Sequence, residues 1–334
     1  MIFAVHSLFT QPLRYRKASE LDRAEVSATR HDNPRRRKEP LESQTQGLTP
    51  TPAQPVPLPD EPQHPRVRKH AEFRSRFLKG ERDISIYVPP GYDEDSERQY
   101  PLLILQDGQN LFDPATAFIP GKTWRVAEHA DAAIAAGEVE PLIIAGVANA
   151  GERRLAEYTP SRDWKLGGGD ADKYALLITR ELLPFLHVRY RLRSEPEHTG
   201  IGGSSLGGLV SLWMGLRHPE IFGRLAVLSP SVWWNHRYIL AWLSDVAPGL
   251  HHRPRIWLDV GDQEGRRTLA DADTLRARLR KLGWRDELDL QFETIAGGTH
   301  DEASWSERVR PMLRFLFPGS RPADAEASVA EPLR

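Results

Sequence analysis

The sequence predicts an α/β protein, a mostly parallel sheet with helices packed on both faces. Three observations carry that prediction. Short apolar runs recur at wide spacing through the middle of the chain. Most of these runs are continuous rather than alternating, as strands buried on both faces are. Helix-period segments separate them, and strand–helix alternation is the pattern of a sheet covered by helices.

The strands come in order. Residues 84–88 (ISIYV) alternate and fit one edge of the sheet. Residues 102–105 (LLIL), 142–145 (LIIA), 225–228 (LAVL) and 256–260 (IWLDV) fit its buried centre. Residues 288–292 (LDLQF) alternate again, as the other edge would. Between them, Asp172 is placed to cap a helix carrying Tyr174, Leu176, Leu177, Leu182 and Leu183, which ends near His187. Residues 206–216 carry Leu206, Val210, Leu212, Trp213 and Leu216 at helical spacing. Residues 269–282 carry Leu275, Leu279 and Leu282 and stop at Gly283. Ser304 with Glu307 has capping-box spacing for a last helix of Val309, Met312, Leu313 and Leu316, in which Pro311 is a distortion.

The ends differ from this middle. Eight prolines fall between Pro40 and Pro65. Each fixes φ and removes an N–H donor, so neither helix nor central strand is expected there. A polar stretch with Arg35, Arg36, Arg37 and Lys38 precedes them. Residues 1–66 are therefore expected to be a disordered, proline-rich and charged extension, 67–318 one domain, and 319–334 a flexible tail. Met1–Val5 is apolar but lacks the flanking charge and cleavage site of a signal peptide, so a cytoplasmic location is expected.

Composition narrows the chemistry. The 334 residues include 45 basic and 46 acidic side chains, a net charge of −1, so no strong field selects nucleic acid or an anionic membrane. No apolar run approaches the roughly 20 residues of a membrane span. With no cysteine, thiolate metal sites and cysteine nucleophiles are excluded. Any catalysis rests on Ser, His, Asp, Glu or Lys.

Gly203-x-Ser205-x-Gly207 closes a short strand and opens a helix. That is the nucleophile-elbow pattern: a serine forced into a strained turn leaves no room for side chains two positions to either side. A Gly/Ser turn before a helix is the plainer alternative, but strand, elbow and helix stand in the order the chemistry needs. Ser204 lacks the flanking glycines. His300, in Gly297-Gly298-Thr299-His300-Asp301, follows the last strand, where the base of such a serine belongs. The acid belongs after the strand ending at Val260, in Gly261-Asp262-Gln263-Glu264. Asp259 lies within that strand. Glu264 is the leading candidate and Asp262 the alternative; either also suits a helix cap. Two N–H donors are needed for an oxyanion, and Leu206 and Gln109, the latter in Gln106-Asp107-Gly108-Gln109, are placed to supply them. Trp233 and Trp234 follow a strand end and fit either a pocket mouth or the core. Arg153 and Arg154 fit either an anion site or a solvated pair.

Taken together, these residues resemble the putative esterase family of α/β hydrolases, which includes enterochelin, feruloyl and acetylxylan esterases, S-formylglutathione hydrolase and mycolyltransferases. The resemblance spans about 67–318. It is carried by Tyr87-Val88-Pro89-Pro90-Gly91-Tyr92, Leu105 to Phe112, Glu157-Tyr158-Thr159-Pro160, Gly202 to Gly208 and Gly297 to Asp301. It implies an α/β-hydrolase fold, an enterochelin-esterase-like serine esterase with Ser205, His300 and Glu264 as its triad, a small-molecule ester substrate, and no metal or organic cofactor. An acyltransferase on the same triad, or a non-catalytic binding protein of this fold, are the alternatives. Enterochelin esterases carry a folded N-terminal domain where this chain has its proline-rich segment.

Overall fold

The computed structural model describes residues 64–319, and the expectations for the N-terminal extension and the C-terminal tail lie outside them apart from residues 64–66 and 319. An eight-stranded sheet organises these residues: β1 (Val67–Arg74), β2 (Glu81–Tyr87), β3 (Leu102–Gln106), β4 (Ile143–Val147), β5 (Thr199–Ser204), β6 (Arg224–Leu228), β7 (Arg255–Gly261) and β8 (Leu290–Ile295). Their order across the sheet is β1-β2-β4-β3-β5-β6-β7-β8. β2 pairs antiparallel with both β1 and β4, and every pair from β4 to β8 is parallel. β8 is an edge, as its alternation predicts. The other edge is β1 rather than β2. The β1 sequence VRKHAEFR holds no apolar run, so pattern reasoning passes over it. A bulge interrupts β1 between His70 and Phe73, with Glu72 at φ 57°.

The continuous apolar runs have the predicted cause. Alternate residues of one strand enter cores on opposite faces. Leu102, Ile104, Leu225, Val227, Ile256 and Leu258 join one cluster, while Leu103, Leu105, Ala226, Leu228 and Trp257 join the other. The first core is closed by the helical run α3 (Ala171–Leu176), a π-helical stretch (Leu177–Leu182) and α4 (Leu183–Arg189), together with α5 (Leu206–Arg217), α6 (Trp234–Val246) and α7 (Arg266–Lys281). The second is closed by α1 (Val126–Ala135) and α8 (Glu302–Leu316). The short helix α2 (Arg154–Glu157) follows β4.

Two helix starts differ from expectation. The first run begins at Ala171, with Asp170 rather than Asp172 at its N-cap. α8 is capped by Asp301, whose carboxylate accepts from the N–H groups of Ala303 and Ser304. Asp301 is extended at φ −150°, so its short side chain reaches the first-turn donors that a cap must satisfy. α8 continues through Pro311 to Leu316.

A buried ion pair crosses from the sheet to α2. Arg82 of β2 donates to both oxygens of Glu157, at 2.8 and 3.3 Å, and both side chains are almost fully buried. Removing Arg82 leaves the buried Glu157 with the more distant, partly exposed Arg153, 3.7 Å away, as its ion-pair partner among the described residues, which costs about 3 kcal/mol. Arg82→Met is therefore expected to lower the unfolding free energy by about that amount, and Arg82→Met/Glu157→Leu to recover most of it; urea denaturation of the three proteins measures both.

Candidate active site

Ser205 sits between β5 and α5 at φ 56°, ψ −121°, a conformation that L-residues avoid. Packing holds it there. Its N–H donates to Leu228 O at 3.0 Å, and its carbonyl accepts from Ser231 N at 3.0 Å, so β6 and the loop after it hold both sides of the residue. The flanking glycines have the predicted role. A Cβ on Gly203 would lie 2.9 Å from Gln106 Cβ, and one on Gly207 would lie 3.0 Å from the same atom. The turn presents Oγ to a cleft of about 390 Å³ that His300, Gln109 and Arg154 also line. In the resting structure Ser205 Oγ lies 3.2 Å from Ser231 Oγ, its hydrogen-bond partner among the described residues. Hydrogen bonds of a catalytic site commonly tighten only with substrate bound.

His300 follows β8, and its Nδ1 lies 2.7 Å from Oε2 of Glu264. Trp305 packs edge-on against the imidazole, ring centroids 5.0 Å apart, which fixes its plane. Glu264 reaches this position through a tight turn: Glu264 N donates to Gly261 O at 3.2 Å, and Gly261 N donates back to Glu264 Oε1 at 2.8 Å. Glycine is needed at 261, since a Cβ would lie 2.2 Å from Gly298 O. Burial opposes the Glu264 charge, but hydrogen bonds from His300, Ser229 and the Gly261 N–H outweigh it and hold the carboxyl below the usual carboxylate range. Asp262 instead accepts from Gly297 N at 2.8 Å and braces the turn before His300. Asp259 points into the interior, with its carboxyl pushed up to about 6 by burial.

Behind the Glu264–His300 pair stands a residue that sequence reasoning missed. Arg308 of α8 is 1% exposed. Its Nη1 donates to Asp259 Oδ1 and Ser229 Oγ, each at 2.8 Å, and its Nη2 to Glu264 Oε1 at 3.2 Å, Thr299 O at 3.1 Å and Ser304 Oγ at 2.8 Å. Ser229 Oγ in turn donates to Glu264 Oε1 at 2.6 Å. One guanidinium thus serves two carboxylates and the loop carrying His300. Nothing in the local sequence marks it, because an arginine in an amphipathic helix ordinarily faces water.

On the other side of Ser205 lies the turn after β3. Asp107 is left-handed at φ 56°, and Gly108–Asn110 form one turn of 3-10 helix. Gln109 falls in that first turn and Leu206 is the first residue of α5; such N–H groups have no partner within their own helix. The Asp107 carboxylate accepts from Arg154 Nε at 2.7 Å, Arg154 Nη2 at 2.8 Å and Asn149 Nδ2 at 2.7 Å, while Asp107 N donates to Tyr158 OH at 3.2 Å. Arg154 therefore braces the Gln109 turn by a bidentate pair, while Arg153 lies outside the cleft lining. Trp234 is buried, with Nε1 donating to Ser161 O at 2.9 Å, and Trp233 is 39% exposed; neither lines the cleft. Among the described residues no group of side chains is arranged to hold a metal ion, and no helix is long and apolar enough to cross a membrane.

An elbow serine on a largely parallel, helix-covered sheet, sharing its cleft with a carboxylate-bound histidine, defines an α/β hydrolase. Within that class the chain belongs to the putative esterase family, whose family model matches residues 75–316, and it is a carboxylic-ester hydrolase. It is 27% identical over 261 residues to the uncharacterized protein YbbA of Bacillus subtilis, covering 74% of this chain and 97% of that one. It is 27% identical to the iron(III) enterobactin esterase of Dickeya dadantii, covering 76% of this chain but only 56% of that enzyme, so it spans about half the length of that relative. Among solved structures, the BES protein of Bacillus cereus superposes with a TM-score of 0.64 at 24% identity, over 76% of this chain and 95% of that one.

Removing Arg308 would leave two buried carboxylates without their shared cation. Glu264 would then be harder to ionise, because a like charge and burial both raise a carboxyl pKa. In Arg308→Met the acidic limb of the kcat/KM–pH profile is expected to move up by about 1 unit or more, with Arg308→Lys between it and wild type. Ester hydrolysis from pH 4.5 to 9, on protein with native near-ultraviolet circular dichroism, checks this.

Proposed function

We propose that the protein is a serine esterase that works through an acyl-enzyme, with Ser205 as nucleophile, His300 as general base and acid, and Glu264 as the group that orients and charges His300. The observation that carries this reading is the 2.7 Å contact between the buried side chain of Glu264 and Nδ1 of His300, which lines the cleft onto which the strained Ser205 opens. With Nδ1–H held by Glu264, the other ring nitrogen is left as a proton acceptor.

The reaction follows from these parts. Ser205 leaves Ser231, gives its proton to His300 Nε2, and bonds through Oγ to the ester carbonyl carbon. The carbonyl oxygen takes up negative charge and is received by the N–H groups of Leu206 and Gln109, with the N-terminal dipole of α5 behind the first. Collapse of the tetrahedral intermediate breaks the bond to the alcohol oxygen, which leaves with the proton from His300. Water then loses a proton to His300 and attacks the acyl-enzyme; its collapse frees the acid and returns the proton to Ser205. Glu264 stays ionised throughout and stabilises the imidazolium.

Small-molecule esters are the substrate class this cleft suits. Relatives named as iron(III) enterobactin and salmochelin esterases support an enterochelin-esterase-like chemistry within it. The part of the chain we assign to this chemistry is residues 67–318.

A p-nitrophenyl ester series from acetate to octanoate tests the reading. Wild type is expected to turn over the shorter members. Ser205→Ala is expected to lose activity to background, and Glu264→Gln to lose on the order of 10⁴-fold in kcat, the scale seen when a triad acid is neutralised. Equal turnover by wild type and Ser205→Ala would rule out Ser205 as the nucleophile.

A further inference from the structure

One acidic side chain in the cleft has no place in this mechanism. Glu302, the first residue of α8, is 6% exposed and lines the same cleft as Ser205 and His300. Its Oε1 accepts from Asn110 Nδ2 at 3.3 Å. The amide orientation is set independently, because Asn110 Oδ1 accepts from Phe118 N at 2.8 Å. Asn110 therefore presents its NH₂ to Glu302, and Glu302 acts as acceptor. Asn110 is the side chain that bonds this carboxylate among the described residues, and the Glu302 side chain lines the cleft.

A carboxylate this buried, with only the Asn110 amide and its own backbone N–H as donors among the described residues, is poorly compensated by the protein itself. The start of α8 favours a negative charge, but the capping task there already belongs to Asp301. Burial, reinforced by Asp301 and Asp107, pushes the Glu302 carboxyl above its usual range against the opposing pull of its own backbone N–H and of Lys122. Arg154 is committed bidentately to Asp107 and acts on Glu302 only from a distance, as Lys122 does. Asp107 is paired with Arg154, and Glu302 is the carboxylate of the cleft lining that has no ion-pair partner within 4 Å among the described residues. It lies beside Asn110, the residue after Gln109, and so on the side where the ester carbonyl oxygen would rest.

We propose that Glu302 selects the substrate: it accepts a hydrogen bond from a hydroxyl or N–H group carried near the ester, and it disfavours esters that carry a carboxylate there. The protein is then an esterase for hydroxylated or N–H-bearing small esters rather than for plain fatty esters or hemiesters of dicarboxylic acids. This proposal rests on the esterase reading above.

Two matched series test it, one for each side of the ester. On the acyl side these are the p-nitrophenyl esters of butyrate, 3-hydroxybutyrate and hemisuccinate. On the alcohol side they are ethyl, 2-hydroxyethyl and carboxymethyl butyrate, followed by pH-stat. Wild type is expected to prefer the hydroxyl-bearing over the carboxylate-bearing ester by at least thirtyfold in kcat/KM in one of the series. Glu302→Gln, which keeps the shape and removes the charge, is expected to reduce that ratio at least tenfold. Intrinsic ester reactivity cancels when the two proteins are compared. No such preference in wild type, or a ratio that survives Glu302→Gln in both series, overturns the proposal. The wild-type measurement stands even where the variant fails to fold. Failure of wild type to hydrolyse any ester in either series instead sinks the esterase reading on which the proposal depends.

Discussion

The site depends on Arg308. A buried guanidinium is costly to desolvate and needs hydrogen-bonding neighbours to hold it. Here they come from several parts of the chain: Asp259 in β7, Ser229 after β6, Glu264 after β7, the carbonyl of Thr299 beside His300, and Ser304 in α8. Through these contacts the arginine ties the segment carrying Glu264 to the loop carrying His300. Glu264 meets His300 because both are held relative to the same cation. A buried charged network of this kind is worth more for specificity of arrangement than for net stability.

The opposite side of Ser205 repeats the device with different residues. Asp107 adopts a left-handed conformation, and Arg154, Asn149 and Tyr158 hold it there through its carboxylate and its N–H. The turn that carries Gln109 is thereby fixed from outside. Between the two networks Ser205 keeps its own strained backbone, supported by Leu228 and Ser231. Strain is concentrated where two ion-paired clusters over-determine the geometry, which is how such conformations persist. The parallel strands beneath supply the rigid base, with core on both faces from β3 to β7.

What was legible in the sequence follows from which residues the physics leaves no choice over. The elbow glycines are legible because Gln106 sits against them and only hydrogen fits. The pairing of His300 with Glu264 is legible because it follows strand ends in a set order. The central strands are legible because burial on both faces forces continuous apolar runs. Arg308 is not, since its partners come from distant segments and its own neighbourhood is an ordinary amphipathic helix. Asp301 is overshadowed as a cap by Ser304 and Glu307, which have the better known spacing. Trp234 and Arg154 carry side chains whose sequence context suits two roles, and packing decides between them: Trp234 is core, and Arg154 is a brace for Asp107.

β1 escapes pattern reasoning for a reason that has its own consequence. Its residues include Arg68, Lys69 and Glu72, and a bulge breaks its line at the sheet's outer edge. An edge strand offers unpaired backbone donors and acceptors to any other chain that meets it. Charged side chains and a kinked backbone make that invitation hard to accept, because a second strand would have to desolvate the charges and follow the bulge. The features that erase β1 from the hydrophobic pattern are thus the ones that guard this sheet against joining its neighbours in a crowded solution.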